Sequence, residues 1–299
     1  MIRAALAFAA ALMLSTAAQA ADKYAANNGV KIHYVAEGKG PLVVLIHGFP
    51  DYSATWKPLT AELNKAGYRT AAMDTRGYNL SDKPQGEAAY AMPNLIGDVA
   101  AVIAAEGEKN AIVIGHDWGA AIAWQTTFAR PDLVNKLVIL SVPHPAGMAR
   151  ELATNADQQK NSQYARNFQK EGSEKMLSAE MLAGMATRDP AARPGYVEAF
   201  KRSDFAAMMN YYRANYPRGT GADVQAAPAA QPNNRVKVPV LVIHGMKDTA
   251  LNAAGHSGTW NYVDADTTVV MFPNAGHFVQ HDAAPQVNRT IRDWLDARR

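Results

Sequence analysis

The chain has 299 residues, of which 48% are hydrophobic and 19% charged, and its formal net charge is +3. This is ordinary globular composition, with enough apolar residues for a large core. No basic run interleaved with aromatic residues suggests a nucleic-acid partner. The chain has no cysteine, which excludes disulfides, cysteine-based metal sites and a lipid-anchor cysteine. We expect one domain with an insertion rather than two independent domains.

Residues 1–20 have the pattern of a secretory signal peptide. Arg3 gives a positive start, Ala4–Leu14 is a continuous apolar run, and Ala18–Ala20 supplies small residues at the spacing of a cleavage site. The apolar run is too short to span a bilayer. We therefore expect an exported protein, periplasmic or secreted, whose mature chain starts at Ala21 and has no membrane span.

Short apolar runs alternate with helical segments in the first half of the remaining chain. Predicted strands cover Val30–Val35, Leu42–Ile46, Tyr68–Met73, Ala111–Ile114 and Lys136–Ser141. Predicted helices cover Trp56–Ala66, Asn94–Glu106 and Ala120–Arg130. Strands and helices that alternate in this way predict an α/β fold with a mostly parallel, doubly wound sheet. Between them, Asp74 and Arg76 follow a strand, and we expect them to form a structural ion pair or turn.

The character of the sequence changes after Pro145. Buried-strand runs disappear from residue 146 to residue 234, and Ala/Pro/Gln-rich residues 222–234 predict a return linker. The strand pattern resumes at Val238–Gly245 and Thr267–Phe272, and a helix at Ala284–Ala297 closes the chain. We therefore predict an α/β core of residues 21–145 and 235–299 with a helical cap of residues 146–234. Such an insertion would cover the carboxyl ends of the strands, where doubly wound sheets bind ligands.

The segment Gly115–Gly119, Gly-His-Asp-Trp-Gly, lies between a predicted strand and a predicted helix. Strand, tight turn and helix form the context of a nucleophile elbow, whose strained central residue requires small residues two positions before and after it. Asp117 occupies the centre, where many hydrolases carry serine. A carboxylate is already nucleophilic at neutral pH and can form an ester. The alternative role for Asp117 is a helix N-cap, which needs no glycine on either side.

Two further strand ends complete a candidate catalytic triad. Asp248 and His277 follow predicted strands, and the order nucleophile, acid, histidine is that of the α/β-hydrolase triad. In this reading Asp117 attacks, His277 activates water against the ester, and Asp248 orients the imidazole. Other residues of the same types lie nearby in the sequence, and position relative to the strands selects these two. The rivals are Asp264, Asp266, Asp282, His244, His256 and His281.

The loop after Leu42–Ile46 predicts one half of an oxyanion hole. It reads His47-Gly48-Phe49-Pro50, and a glycine-containing loop at a strand end can aim a backbone N–H at a reaction centre. We assign the Phe49 N–H as one donor and the Trp118 N–H, next to the nucleophile, as the other. An ordinary strand-to-helix turn is the alternative for this loop.

Taken together, these motifs resemble the α/β-hydrolase-fold epoxide hydrolases, which are related to the haloalkane dehalogenases. The resemblance is carried by His47–Pro50, Gly115–Gly119, Gly245–Asp248 and Gly276–Phe278, and it covers nearly the whole mature chain. It implies a cofactor-free, metal-free enzyme that acts on a small-molecule epoxide.

The resemblance also assigns roles in the cap. In this family two cap tyrosines hold and protonate the epoxide oxygen as the ring opens. Tyr212 and Tyr164 fall on the matching positions, and Tyr211 remains a rival to Tyr212. Trp118, Phe49 and Tyr211 are expected to contact the substrate.

Three functions follow from these observations. The sequence predicts an epoxide hydrolase that opens an epoxide to a vicinal diol through an Asp117 ester. The first alternative is a haloalkane dehalogenase with the same nucleophile, although dehalogenases commonly carry Asn or Glu where this chain has Phe49, and fluoroacetate dehalogenases carry Arg where it has Trp118. The second alternative is a non-catalytic binding protein on the same fold.

Overall fold

The computed structural model describes residues 20–219 and 235–299. The predicted return linker, residues 222–234, and all but the last residue of the predicted signal peptide lie outside the described residues. Within these ranges, no helix has both the length and the apolar character that crossing a bilayer requires.

One eight-stranded sheet organises the described chain. Its strands are β1 Ala21–Asn27, β2 Val30–Gly38, β3 Leu42–Ile46, β4 Arg69–Met73, β5 Ala111–His116, β6 Val134–Leu140, β7 Val240–Gly245 and β8 Thr267–Phe272. They lie in the order β1-β2-β4-β3-β5-β6-β7-β8. Strands β1, β2 and β4 pair antiparallel, and all pairs from β4 to β8 are parallel. The predicted α/β class and mostly parallel sheet are confirmed.

Helices cover the sheet and fill the insertion. Those of the core are α1 Lys57–Lys65, α2 Met92–Ala105, α3 Trp118–Ala129, α10 Val279–Asp282 and α11 Ala284–Asp296. Those between β6 and β7 are α4 Pro145–Thr154, α5 Ala156–Asn161, α6 Gln163–Phe168, α7 Ala179–Ala186, α8 Arg193–Lys201 and α9 Phe205–Asn215. The described part of the insertion is therefore helical.

The sheet is buried on both faces because successive strand residues point to opposite sides. In β3, Val44 and Ile46 join the core beneath α2 and α3, whereas Val43 and Leu45 join the core beneath α1 and α11. All residues of β3, β5 and β7 are buried. This packing fixes the carboxyl ends of these strands, from which the candidate site is built.

Of the ion pair or turn expected at Asp74 and Arg76, the turn is present, since the Tyr78 N–H donates to the carbonyl oxygen of Thr75 at 3.0 Å, but the two side chains do not pair with each other. Arg76 instead forms a two-pronged ion pair with Asp98 of α2, with Nη2–Oδ1 and Nε–Oδ2 distances of 2.6 and 2.7 Å. The buried Asp74 carboxylate accepts hydrogen bonds from the Ser53 N–H (2.8 Å) and from Nδ1 of His33 (2.7 Å). Each group thus has a partner from a distant segment, which spacing along the chain does not reveal.

Candidate active site

Asp117 occupies a strained turn between β5 and α3. Its φ of +51° lies in the left-handed region, which costs free energy for a residue with a side chain. Gly119 is required there, because a Cβ at this position would lie 2.0 Å from the carbonyl oxygen of Ile46. A Cβ on Gly115 would lie 2.3 Å from the Gly119 oxygen. Asp117 occupies the N-cap position of α3, but its side chain makes no capping hydrogen bond, so capping is not the role of its carboxylate.

The two carboxylate oxygens of Asp117 have different partners. Oδ1 accepts a hydrogen bond from the Phe49 N–H at 2.7 Å, and Oδ2 lies 3.3 Å from Nε2 of His277. The loop can approach this closely because residue 48 is glycine; a Cβ there would lie 2.4 Å from the Cβ of Asp117. The carboxylate is therefore held by one oxygen, while the other faces the histidine.

His277 connects Asp117 to the third predicted residue. Its Nδ1–H donates to Oδ2 of Asp248 at 2.8 Å. Oδ1 of Asp248 accepts hydrogen bonds from the N–H groups of Ala250 and Leu251, at 2.7 and 2.9 Å. The loop after β7 thus fixes the Asp248 carboxylate, which in turn fixes the plane and tautomer of the imidazole. The three predicted residues lie together.

The electrostatics of this cluster favour a charged pair. Burial opposes the charged form of the His277 imidazole, but Asp248 and Asp117 outweigh it and raise its pKa to about 10. Burial likewise opposes ionisation of Asp117, yet His277 and the Phe49 N–H keep its carboxyl pKa below the usual value. At neutral pH the pair is therefore an imidazolium and a carboxylate.

His116, next to the nucleophile, holds the backbone of His277 in place. It was not identified as a site residue from the sequence. Its Nε2–H donates to the carbonyl oxygen of His277 at 2.9 Å, and Nδ1 accepts from the Gln280 amide at 3.1 Å. Burial and the charge of His277 lower the pKa of His116 to about 4, so it is a neutral imidazole. The Ser141 hydroxyl donates to the same carbonyl at 2.7 Å. The backbone of His277 is thus fixed from two sides.

Tyr164 of α6 and Tyr212 of α9 face the same cavity as Asp117. Their ring centroids are 6.1 Å apart, and the Tyr212 ring packs edge-on against Trp118 and Phe49, at 5.1 and 5.7 Å. Burial raises the pKa of both phenols well above the usual value. Both hydroxyls therefore stay protonated at neutral pH and can act as donors.

Tyr211, which was predicted to contact the substrate, is buried in the core and does not line the cavity. Its hydroxyl donates to the carbonyl oxygen of Arg76 at 2.8 Å, and its ring packs against Tyr78 and Tyr90. Successive helical residues point in directions about 100° apart, so Tyr212 faces the cavity while Tyr211 is buried in the core.

The cavity above Asp117 has a volume of about 140 Å³. Its wall includes Gln125, Tyr216 and Trp124, which the sequence reading missed. Helical periodicity places Gln125 on the same face of α3 as Trp118, and this signal was available. Tyr216 lies at the end of α9, where no periodic pattern marks a cavity.

Several rival residues have partners outside this site. His244 and His256 contact each other through ring nitrogens 3.0 Å apart. Asp264 forms an ion pair with Arg235, and Asp282 accepts the N–H of Gly276 at 2.8 Å. Within residues 20–219 and 235–299, no cluster of three or more His, Asp or Glu side chains is arranged to hold a metal ion.

Comparison with known proteins places this geometry in a family. The profile of the alpha/beta hydrolase fold family matches residues 41–284. The AB hydrolase superfamily protein YfhM of Bacillus subtilis is 33% identical, over 90% of this chain and 95% of that protein. Epoxide hydrolase 1 of Caenorhabditis elegans is 31% identical, over 92% of this chain and 70% of that protein.

The structural comparison agrees. The crystal structure of a point mutant of an epoxide hydrolase from Bacillus megaterium matches with a TM-score of 0.86 and 30% identity, over 92% of this chain and all of that chain. The expected resemblance is confirmed, and the chain belongs to the α/β-hydrolase-fold epoxide hydrolase family.

Proposed function

We propose that this protein hydrolyses epoxides to vicinal diols in two steps, through a covalent ester on Asp117. In the first step Oδ2 of Asp117 bonds to an epoxide carbon, and the ring C–O bond breaks with its electron pair passing to the oxygen. Oδ2 is the attacking atom because Oδ1 is occupied by the Phe49 N–H at 2.7 Å. The carboxylate needs no activating base.

Tyr164 and Tyr212 act as hydrogen-bond and proton donors to the epoxide oxygen. Ring opening develops an alkoxide, and a phenol placed against it donates first a hydrogen bond and then a proton. Both hydroxyls are protonated at neutral pH, and both side chains line the cavity that contains Asp117. This shared position of the two tyrosines is the observation that carries the proposal, because a halide leaving group needs no proton.

Water releases the diol in the second step. His277 takes a proton from water through Nε2, and the water oxygen bonds to the Asp117 ester carbonyl carbon. The charge on Oδ1 is held by the Phe49 and Trp118 N–H groups. Collapse breaks the bond between that carbon and Oδ2, which leaves in the diol with the second proton of the water. Asp117 is regenerated as a carboxylate that contains one oxygen from water.

The loss of the negative charge of Asp117 on ester formation links the first step to the second. Before attack, Asp117 raises the pKa of His277, so the histidine is protonated and a poor base. Esterification removes the Asp117 charge and with it one of the interactions that stabilise the imidazolium. His277 therefore gives up its Nε2 proton, which passes through solvent to the tyrosinate left by ring opening, and the neutral imidazole is then the base that activates water.

Isotope labelling tests the ester directly. A single turnover, with protein in excess over an aryl epoxide in water enriched in oxygen-18, should give an unlabelled diol and place one labelled oxygen in the peptide containing Asp117. Direct attack of water on the epoxide would label the diol and leave the peptide unchanged, which would overturn the ester mechanism. Asp117→Ala should form no diol.

Product identity separates the two enzymatic alternatives. The protein should release diol from an aryl and an alkyl epoxide and no halide from a bromoalkane of similar size. Halide release without diol would move the chain to the dehalogenases. Retained binding without either product would support the non-catalytic alternative.

We further propose that the protein is exported. The proposal is supported by Arg3, the apolar run Ala4–Leu14 and the small residues Ala18–Ala20. Terminal sequencing of protein recovered from the exported fraction should find Ala21 first, and Ala20→Arg should block the cleavage. Protein that remains in the cytoplasm with its first 20 residues attached would contradict export.

A further inference from the structure

Gln125 is a polar side chain on the wall of the catalytic cavity. It lies on α3 in line with Trp118 and Ala121, which also line the cavity. The spacing of three and then four residues places all three on one helix face. Gln125 lies seven residues beyond Trp118, so at 1.5 Å per residue it is displaced by about 10 Å along the helix.

The Gln125 amide has no hydrogen-bond partner among residues 20–219 and 235–299, although the side chain is half-buried. Asn215, the other amide on the cavity wall, is different. Its amide donates to the carbonyl oxygens of Tyr90 and Tyr211, at 2.9 and 3.0 Å. Asn215 therefore has a structural role, whereas the Gln125 amide keeps its hydrogen-bonding capacity for a ligand.

Most of the cavity wall around Gln125 is apolar. The aliphatic and sulfur-containing members include Met92, Val142, Pro143, Pro145, Met148, Pro217 and Leu251. Within the described chain, neither lysine nor arginine lines the cavity, so a charged carboxylate in the substrate would have no counter-ion there. An uncharged group that both donates and accepts hydrogen bonds matches a neutral amide best.

We propose that Gln125 is a specificity-determining residue that binds a neutral hydrogen-bonding group of the substrate, on the part of the cavity wall that lies about two turns of α3 beyond Trp118. The inference rests on the proposed function, because the position of the ring is set by Asp117 and the two tyrosines. It names the substrate class as epoxides with an apolar chain that ends in a hydroxyl or amide group.

The expected discrimination follows from hydrogen-bond energetics. An apolar chain end would leave the Gln125 amide without a partner in a cavity from which water is displaced, and a polar end would satisfy it. The net free energy contributed by one such hydrogen bond corresponds to a preference of about 3- to 10-fold in kcat/KM for the polar over the apolar chain end.

A matched substrate series tests the inference. Terminal epoxides of increasing chain length, ending either in a primary alcohol or in a methyl group, are compared by kcat/KM for diol formation. The ratio of alcohol to methyl should peak at the one chain length that brings the hydroxyl group to the Gln125 amide. Gln125→Met, which preserves length without hydrogen bonding, should bring that ratio close to one.

The controls separate the possible failures. Gln286→Met, at an exposed position of α11, should keep both the activity and the ratio. If Gln125→Met does not fold, Gln125→Leu provides the same comparison. A ratio near one in the unchanged protein, or the same ratio in the Gln125 variants, would overturn the inference and leave the proposed function intact. Absence of diol from every epoxide would overturn the proposed function and this inference with it.

Discussion

Nε2 of His277 lies 3.3 Å from Oδ2 of Asp117, the oxygen that the proposed reaction consumes. The histidine therefore has two different electrostatic surroundings during one turnover, first beside a carboxylate and then beside a neutral ester. The contact with Asp248, at 2.8 Å, persists in both. The pKa of the imidazole should follow the charge of Asp117.

Replacement of Asp117 by Asn should lower the pKa of His277 from its raised value of about 10, because the amide has nearly the same shape without the charge. An NMR titration of the His277 imidazole in the two proteins measures this difference. An unchanged pKa would show that Asp248 alone sets it, and would contradict the proposed coupling between the two steps.

The raised pKa of His277 also predicts how the stability of the fold depends on pH. A group whose pKa is higher in the folded than in the unfolded protein stabilises the fold fully below its unfolded pKa, here about 6.5, and loses that contribution as the pH rises through about 10. The free energy of unfolding, measured by denaturant titration, should therefore fall over this range. The fall should be smaller in Asp117→Asn, which isolates His277 from other groups that titrate at alkaline pH.

The neighbours Tyr211 and Tyr212 form a natural pair of variants. Tyr212→Phe should lower the rate of ester formation by about 100-fold, because it removes a proton donor to the epoxide oxygen. Tyr211→Phe removes only the hydrogen bond to the Arg76 carbonyl, and should cost about 1 kcal/mol of stability with little effect on ester formation. Rapid-quench kinetics and thermal unfolding check the two predictions. The reverse pattern would exchange the roles of the two tyrosines.

Asp248→Asn should separate the two chemical steps. The amide N–H₂ favours the His277 tautomer that carries its proton on Nε2, and this tautomer cannot accept a proton from water. Ester formation should continue, whereas ester hydrolysis should slow by about 1,000-fold or more. Intact-protein mass spectrometry should then detect an adduct of protein and epoxide during turnover. A variant that loses both steps equally, with no adduct, would contradict the assigned role.

Gly119→Ala tests the elbow packing. The added Cβ would lie 2.0 Å from the Ile46 oxygen, so the backbone must move and we expect a loss of about 3 kcal/mol or more in unfolding free energy. Gly184→Ala is the matched control. Gly184 lies inside α7 and its added Cβ meets only the Arg193 side chain, at 3.9 Å, so this change should stabilise by about 0.5 kcal/mol. Denaturant titration of both variants provides the comparison, and equal stabilities would contradict the packing argument.

The interior of the fold was predictable because its signals are local. Strands β3 and β8 have the predicted bounds, Leu42–Ile46 and Thr267–Phe272, since each is a short apolar run. Strand β1, Ala21–Asn27, was missed. Most of its residues are exposed, so it lacks a clear apolar alternation, and it is held by antiparallel pairing to β2.

The residues of the candidate site likewise fall into those that local sequence signals predict and those that depend on contacts between distant segments. Asp117, Asp248 and His277 follow strands, so the topology alone brings them to one edge of the sheet. The choice between Tyr211 and Tyr212 depends on the rotation of α9 about its axis, which is set by packing against distant aromatic residues. The partner of Arg76 and the cavity face of Gln125 likewise depend on contacts between segments far apart in the sequence.

The insertion joins two neighbouring strands, since β6 ends at Leu140, β7 begins at Val240, and the two pair in parallel. The entropy of closing a flexible connection grows only with the logarithm of its length, by about 0.6 kcal/mol per doubling. Lengthening or shortening the loops that join the helices of the insertion therefore changes the free energy of folding little. Evolution and protein engineering can exchange this segment, and with it the range of accepted substrates, while the nucleophile, acid and histidine keep their positions.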